Sequence, residues 1–214
     1  MHSGTDESRR RAAPEDRLSE AERRVEAWSA PRRFWRALPH RRDAGAVQIR
    51  DFALRLLWAD SLAGKLAPPP PDLVDTEPGP ASRVEEPARP AGLEIAPGGR
   101  ARVPSVKGMH DPAQRARILH ALANHELQAA ELFAWALLAL PAAPRDFRRG
   151  CLGILRDEQA HLRLYLERMQ AHGTRFGDHP VSGHFWRKLR SVQTPLEFVA
   201  TMGLTIVMVS SASG

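Results

Sequence analysis

Three side chains in this sequence have the types and the spacing to bind a metal ion: Glu126, Glu158 and His161. Glu158 and His161 form a Glu-x-x-His pair, and a helix brings their side chains to neighbouring positions, about 60° apart. Glu126 lies in the preceding helical stretch. Carboxylate oxygens and imidazole nitrogens are ligands of divalent transition metals. A Glu facing a Glu-x-x-His pair is half of the ligand set of a carboxylate-bridged di-iron or di-manganese site in a four-helix bundle.

The positions of the two glutamates around their helices support this prediction. At 100° per residue, each lies within about 40° of a stripe of apolar side chains. The stripe around Glu126 comprises Leu119, Leu122, Ala130, Phe133, Leu137 and Leu140, and the stripe around Glu158 comprises Cys151, Ile154, Leu162, Tyr165 and Met169. Counted from the turn between the helices, the two glutamates are also nearly level. An unpaired carboxylate in an apolar stripe is costly, and a cation would keep it ionised. The alternative is that Glu126 pairs with His161 or an arginine.

Other acidic residues and histidines fit this site less well. Glu131 lies about 140° from Glu126 around the first helix. Asp157 points about 100° away from Glu158, so we expect it at the surface or hydrogen-bonded to a ligand. Three histidines in the following loop have irregular spacing, which favours exposed or locally bonded side chains over a second metal cluster. They are His172, His179 and His184.

Strong start and stop signals define the helices that carry the three residues. Asp111-Pro112-Ala113-Gln114 is a capped helix start, and the helix should run to about Leu140. After the turn Pro141–Pro144, the second helix should begin near Arg145 or Asp146 and end at Gly173. We expect a loop over residues 174–193. The capping box Thr194-Pro195-Leu196-Glu197 opens a third helix. That helix should include Phe198, Met202, Ile206 and Val209.

The first half of the chain has a different composition. The N-terminal segment is rich in Arg, Glu, Ser and Pro, and we expect it to be mobile, with a short helix from Ser19 to Ala30. Residues 46–65 show a helical apolar pattern. Residues 66–108 hold most of the prolines, which predicts an irregular connection that either wraps the bundle or is disordered. The chain therefore divides into a basic N-terminal segment (1–45), a helix with a Pro/Gly-rich wrapping segment (46–110) and a helical bundle (111–214).

Composition restricts the cellular setting. Cys151 is the only cysteine, which excludes an internal disulfide and fits a reducing cytosol. The longest apolar run, Leu132–Leu140, is far shorter than the roughly 20 residues that span a bilayer. We therefore expect a cytoplasmic protein without membrane contact. The formal net charge of +6 permits contact with nucleic acid, but no aromatic residues are interleaved with the basic ones to stack on bases.

Two stretches carry a resemblance to a known group of proteins. Asn124–Leu132 and Arg156–Tyr165 resemble the metal-binding helices of ferritin-like di-iron proteins, and more closely those of an uncharacterised bacterial ferritin-like family grouped with tRNA hydroxylases. The resemblance extends from about Phe52 to Thr205. It includes Trp58-Ala59-Asp60, Leu66-Ala67-Pro68-Pro69, Pro78-Gly79-Pro80-Ala81 and Arg175-Phe176-Gly177-Asp178-His179-Pro180.

The resemblance implies an all-α, ferritin-like helical bundle with iron, or alternatively manganese, at the centre. It implies Glu126 as a ligand, Glu158 as a bridging ligand and His161 as a terminal imidazole ligand. The chain departs from the family pattern at Val207, where another Glu is expected, and residues 209–214 match nothing in the family. We therefore expect an incomplete bundle, a long antiparallel hairpin plus a partial third helix, in a truncated or frame-shifted chain.

Three functional hypotheses follow. The first is a protein derived from a di-iron or di-manganese oxygenase or oxidase that carries half of the metal site and is inactive as a monomer; in that case this chain can lack the metal. The second is a metal-binding or ferroxidase-type protein whose site a homodimer completes. The third is a non-enzymatic helical scaffold. A tRNA or other nucleic-acid partner rests only on the resemblance and the basic charge.

Overall fold

The structure, a computed structural model, describes residues 46–95 and 103–211, with side chains up to residue 203. Within these ranges the protein is all-α, as predicted, and its extended segments form isolated bridges instead of strands. The helices are α1 (Ile49–Trp58), α2 (Leu62–Lys65), α3 (Pro112–Ala139), α4 (Arg145–Ala171), α5 (His184–Lys188) and α6 (Pro195–Ser211). The predicted N-terminal segment with its helix at Ser19–Ala30, and the side chain of Val207, lie outside the described residues.

The antiparallel hairpin of α3 and α4 has the predicted ends. The Asp111 carboxylate accepts a hydrogen bond of 2.8 Å from the amide of Gln114, and Pro112 is the first helical residue. Helix α4 ends at Ala171, and Gly173 follows with φ of +71°, a backbone conformation that glycine adopts without strain. The hairpin predicted from sequence is therefore confirmed.

The helix predicted over residues 46–65 is interrupted. Helix α1 ends at Trp58, Ala59 is extended, and α2 begins at Leu62. The Ser61 hydroxyl accepts a hydrogen bond from the Gly64 amide, so a local cap competes with continuation of the helix. The prediction of one continuous helix is wrong at this point. Helix α1 packs its apolar face against α3 with Ile49, Phe52, Ala53, Leu56 and Leu57.

The described part of the proline-rich segment, residues 66–108, wraps the helices. Of the two predicted alternatives, wrapping and disorder, the first is therefore confirmed for this part. The Ser82 amide donates to the carbonyl of Leu138, and the Trp135 indole donates to the carbonyl of Val84. Asp75 binds the buried guanidinium of Arg148 through two hydrogen bonds of 2.7 Å. These bonds satisfy buried polar groups in a segment whose described residues form little regular secondary structure.

The region after α4 is more ordered than predicted. Residues 174–193, predicted as a loop, contain α5 and a 3₁₀ turn, because Phe185 and Trp186 are apolar enough to be buried against the core. The predicted capping box of α6 is confirmed. The Glu197 carboxylate accepts from the amide of Thr194, and the Thr194 hydroxyl accepts from the amide of Glu197. Phe198 packs edge-on against Phe133.

The core covers one side of the hairpin more completely than the other. From Leu127 to Ala139, every residue of α3 is buried. Helix α4 buries one stripe, Arg148, Cys151, Leu155, Gln159, Leu162 and Met169, and leaves Ile154 and Leu164 exposed. Across the described residues, no helix combines the length and the apolar character that crossing a membrane requires.

Candidate metal centre

The hairpin brings the three predicted residues together. Glu126 projects from α3, and Glu158 and His161 project from α4, on facing levels of the two antiparallel helices. The Nδ1 atom of His161 lies 3.2 Å from Oε2 of Glu158 and 3.5 Å from Oε2 of Glu126. One donor atom from each residue lies within 4.8 Å of the others. Spacing along the sequence therefore predicted a real convergence in space.

The cluster lies at the edge of the core, whereas the sequence placed it in the middle of an apolar stripe. The exposed fraction of the side chain is 12% for Glu126, 17% for Glu158 and 54% for His161. Ile154, which the helical wheel assigned to the buried stripe, is also exposed. Most members of the two predicted stripes are buried, so the expected burial of the ligand face is wrong only at its edge, at Ile154 and His161.

The two carboxylates repel each other. Burial, followed by the hydrogen bond with Glu158 and the negative charge of Glu158, together raise the pKa of Glu126 to about 8. No lysine or arginine nitrogen lies within 4.0 Å of either carboxylate among the described residues, and the nearby basic groups are the imidazoles of His125 and His161. Burial lowers the pKa of His125, which favours its neutral form. Glu126 therefore has partners that do not compensate its charge.

The donor set fits one metal ion. Donor atoms that bind an ion at about 2.1 Å in tetrahedral or octahedral geometry are separated by about 3.0 to 3.4 Å. The two separations at His161, 3.2 and 3.5 Å, are close to that range, and all three donor atoms lie within 4.8 Å of one another, so small side-chain movements would bring them onto one ion. Two carboxylates and one imidazole leave further coordination positions open. A second ion needs more ligands than the described part of one chain brings to this place.

A cavity of about 520 Å³ opens beside the cluster. Its lining residues are Glu126, His161, Leu164, Tyr165 and Arg168. Because both Glu126 and His161 contribute to its wall, a small molecule in the cavity would lie next to an ion held by the cluster. The cavity is therefore on the side of the hairpin from which Glu126 and His161 are accessible.

Glu131, predicted to be a poorer ligand, is a buried structural residue. Its side chain is 0% exposed and lies 2.9 Å from Nζ of Lys65 and 2.6 Å from a guanidinium nitrogen of Arg89. The indole of Trp186 donates a third contact of 3.1 Å. Desolvation lowers the pKa of Lys65 despite the opposing effect of Glu131. Two cations and an indole therefore surround this carboxylate, and the protein itself compensates its charge.

Sequence reasoning missed this buried ionic cluster. Lys65 and Arg89 were not singled out, because they occur in segments distant along the chain from Glu131. One signal was available: Glu131 interrupts an apolar run in α3 that is too long for a single buried stripe. A helix surrounded on all sides requires a partner for every charge it carries.

The other acidic residues and histidines lie outside this cluster. Asp157 is exposed. His120, which was not singled out, is buried and accepts hydrogen bonds from the amides of Gly177 and His179 through Nε2, and its pKa is lowered to about 4, chiefly by burial. Among the residues that the structure describes, only Glu126, Glu158 and His161 gather three potential metal donors. The loop histidines do not form a second cluster there.

Comparison with known proteins identifies the family. No curated protein and no solved structure matched the chain. Residues 50–208 match the model of one protein family, and this range contains both the candidate metal centre and the buried ionic cluster around Glu131. Because the match covers well over half of the sequence, the chain belongs to the family described as Protein of unknown function (DUF455).

Proposed function

We propose that this protein binds a divalent transition-metal ion, iron or manganese, through Glu126, Glu158 and His161. The observation that carries the proposal is the convergence of two carboxylates and an imidazole from two helices within 4.8 Å. Lysine and arginine are missing from the carboxylates' immediate surroundings in the described part of the chain, whereas Glu131 has both. A metal ion would supply the positive charge that the two glutamates lack.

The proposed activity is of the oxygenase or oxidase type found in ferritin-like proteins. A Glu facing a Glu-x-x-His pair on antiparallel helices is the half-site of di-iron and di-manganese carboxylate bundles, which supports this reading. A bound iron or manganese ion would supply redox chemistry with dioxygen or peroxide. The protein's own part is to hold the ion by three side chains and to leave the cavity side open. Glu126 must release its proton for the ion to bind.

Metal titration of the purified protein tests the proposal. We expect the wild type to bind Mn²⁺ or Fe²⁺, and Glu158→Ala to weaken binding by at least about 100-fold, because losing even a residue that orients a ligand costs 10- to 100-fold. Asp157→Asn is the matched control, since Asp157 is the exposed neighbour of Glu158. It should leave the affinity unchanged. Equal binding by the wild type and Glu158→Ala would contradict the proposal and favour a non-enzymatic scaffold.

A homodimer is the second candidate, because the cluster is at an accessible edge of the hairpin. His161 is 54% exposed, and Ile154 and Leu164 expose apolar surface on the same helix. Two copies facing each other would provide four carboxylates and two imidazoles, the full set for two ions. Light scattering with and without Mn²⁺ tests this candidate. Metal-dependent dimerisation that Glu158→Ala abolishes supports it, and a metal-loaded monomer excludes it.

A further inference from the structure

The cavity beside the candidate metal centre has opposite charges at its two ends. Glu126 and His161 line one end, and Arg168 lines the other. Arg168 follows His161 by two helical turns of α4, which is about 10 Å along the axis. A volume of about 520 Å³ is within the range of sites for small molecules. A ligand in this cavity can therefore contact both ends at once.

Arg168 has no counter-ion of its own. In the described residues, no carboxylate oxygen lies within 4.0 Å of its guanidinium group. Two more basic groups are close to it: the charges of Arg168 and of Arg115 on α3 both act on the imidazole of His172. Positive charge thus accumulates at the end of the hairpin away from the glutamates, without an acidic side chain to balance Arg168.

Two nitrogen atoms in this basic group lack hydrogen-bond partners. Nε of Arg115 and Nε2 of His172 are buried from solvent, and neither has a partner in the structure. Buried polar atoms are almost always hydrogen-bonded, and those that are not commonly mark a place for a ligand or water. Neither residue lines the cavity, so these atoms describe the surroundings of Arg168 and are not contacts of a ligand in the cavity.

The wall between the two ends is largely apolar. Leu164 is 62% exposed, which is unusual for a large apolar side chain, and Tyr165 beside it presents an aromatic ring. An apolar molecular body would remove this surface from water. At the Arg168 end an amine would meet a positive charge, and an uncharged molecule would leave that charge unbalanced. Charge complementarity at this end therefore selects an anion over either of these.

We infer that the cavity binds a small organic anion with an apolar body, whose acidic group pairs with Arg168 and whose body lies along Leu164 and Tyr165. The other end of such a molecule reaches Glu126 and His161. This inference rests on the proposed function for its role, because it names the substrate class of the proposed metal centre. The binding itself requires no metal.

Binding of four chemically matched probes to metal-free protein tests the inference. Octanoate and octyl phosphate share an apolar chain with octan-1-ol and octylamine, and only the first two are anions. Calorimetry in the presence of a chelator should show both anions binding, and the alcohol and the amine binding at least about tenfold more weakly. The anion that binds more tightly identifies the acidic group as carboxylate or phosphate.

Two variants connect binding to this cavity. Arg168→Gln and Leu164→Glu should each weaken anion binding at least about tenfold, since one removes the cation and the other adds a repelling charge. Both residues are exposed, so the variants should fold, and a circular dichroism spectrum checks that they do. Arg149→Gln is the control, because Arg149 is exposed on the same helix and does not line the cavity.

The outcomes separate this inference from the proposed function. Anion binding that depends on Arg168, in a protein that fails to bind metal, would support the cavity and contradict the metal centre. Metal binding without anion binding would support the metal centre and contradict the inference about the cavity. Equal binding of all four probes, or equal binding by the wild type and Arg168→Gln, would overturn the inference. So would failure of the anions to bind together with dimerisation by light scattering, which would show that a second copy fills the cavity.

Discussion

Two glutamates on helix α3, only five residues apart, have opposite environments. The carboxylate of Glu131 is fully buried and contacts Lys65 and Arg89 at 2.9 and 2.6 Å. The carboxylate of Glu126 is 12% exposed, and it faces another carboxylate and a half-exposed imidazole. The negative charge of Glu131 is compensated by side chains of the protein itself. The carboxylate of Glu126 is held in place without a matching cation, as expected of a group that binds one from solution.

The compensated cluster also holds the elements around the candidate metal centre. Lys65 ends α2, Arg89 belongs to the wrapping segment, and both converge on Glu131. Gln159, the neighbour of Glu158, donates to the backbone carbonyl of Lys65 over 2.8 Å. The buried ionic cluster thus fixes the two helices from inside, while the candidate ligands project from their accessible edge.

The largest expected effect is on stability. Glu131→Gln should lower the free energy of unfolding by about 3 to 5 kcal/mol, because it leaves Lys65 and Arg89 buried without a negative partner. Urea denaturation measures the change. Glu126→Gln is the matched variant, and it should cost far less, since the fold already favours the neutral, protonated form of Glu126. Equal losses in the two variants would remove the distinction between the two glutamates.

Metal should stabilise the protein through Glu126 and not through Glu131. At a free Mn²⁺ concentration about 100 times the Kd, the free energy of unfolding should rise by about 2.7 kcal/mol. Thermal unfolding with and without Mn²⁺ measures this gain. Glu126→Gln should abolish it. A gain that survives in this variant would place the metal at another site.

The stability of the metal-free protein should depend on pH through Glu126. Its pKa is about 8 in the folded protein, above the ordinary value of 4.5, so the fold favours the protonated form. The stabilisation is complete below pH 4.5 and is lost as the pH rises to about 8. Denaturation at pH 5 and pH 8 measures the loss, and Glu126→Gln should reduce it. Metal affinity should rise over the same interval, because the ion displaces this proton.

A smaller effect is expected when a cationic side chain is placed beside Glu126, as Lys65 and Arg89 lie beside Glu131. Leu122 is half-buried one helical turn before Glu126, so Leu122→Lys places an ammonium group beside the carboxylate. Such pairs of opposite charge, four residues apart, stabilise a helix by about 0.5 kcal/mol. The pKa of Glu126, followed by NMR titration, should fall, and the affinity for Mn²⁺ should decrease. An unchanged pKa would show that charge compensation does not distinguish the two sites.

Local signals predicted much of this fold. The Asp111 cap, the glycine after α4 and the capping box at Thr194 are each encoded within four residues, and all three form as predicted. The convergence of Glu126 with Glu158 also followed from local geometry, because the short turn fixes the levels of the two helices. A regular period and a short connection are enough for such predictions.

Contacts between distant segments were not predictable in the same way. The partners of Glu131 come from α2 and from the wrapping segment, and no periodic pattern connects them. The exposure of Ile154 and His161 was missed for a related reason. A helical wheel gives the apolar side of one helix, whereas exposure depends on which other elements cover that side. Tertiary packing therefore determines the partners of Glu131 and the surroundings of Glu126.

Pulsed electron paramagnetic resonance of the Mn²⁺-loaded protein tests the central claim most directly, because it detects nitrogen atoms bound to the ion. We predict coupling to one imidazole nitrogen, which disappears in His161→Gln and persists in His125→Gln, the control on α3. Coupling that persists in His161→Gln, or an ion without any nitrogen ligand in the wild type, would contradict the assignment of Glu126, Glu158 and His161 as a metal centre.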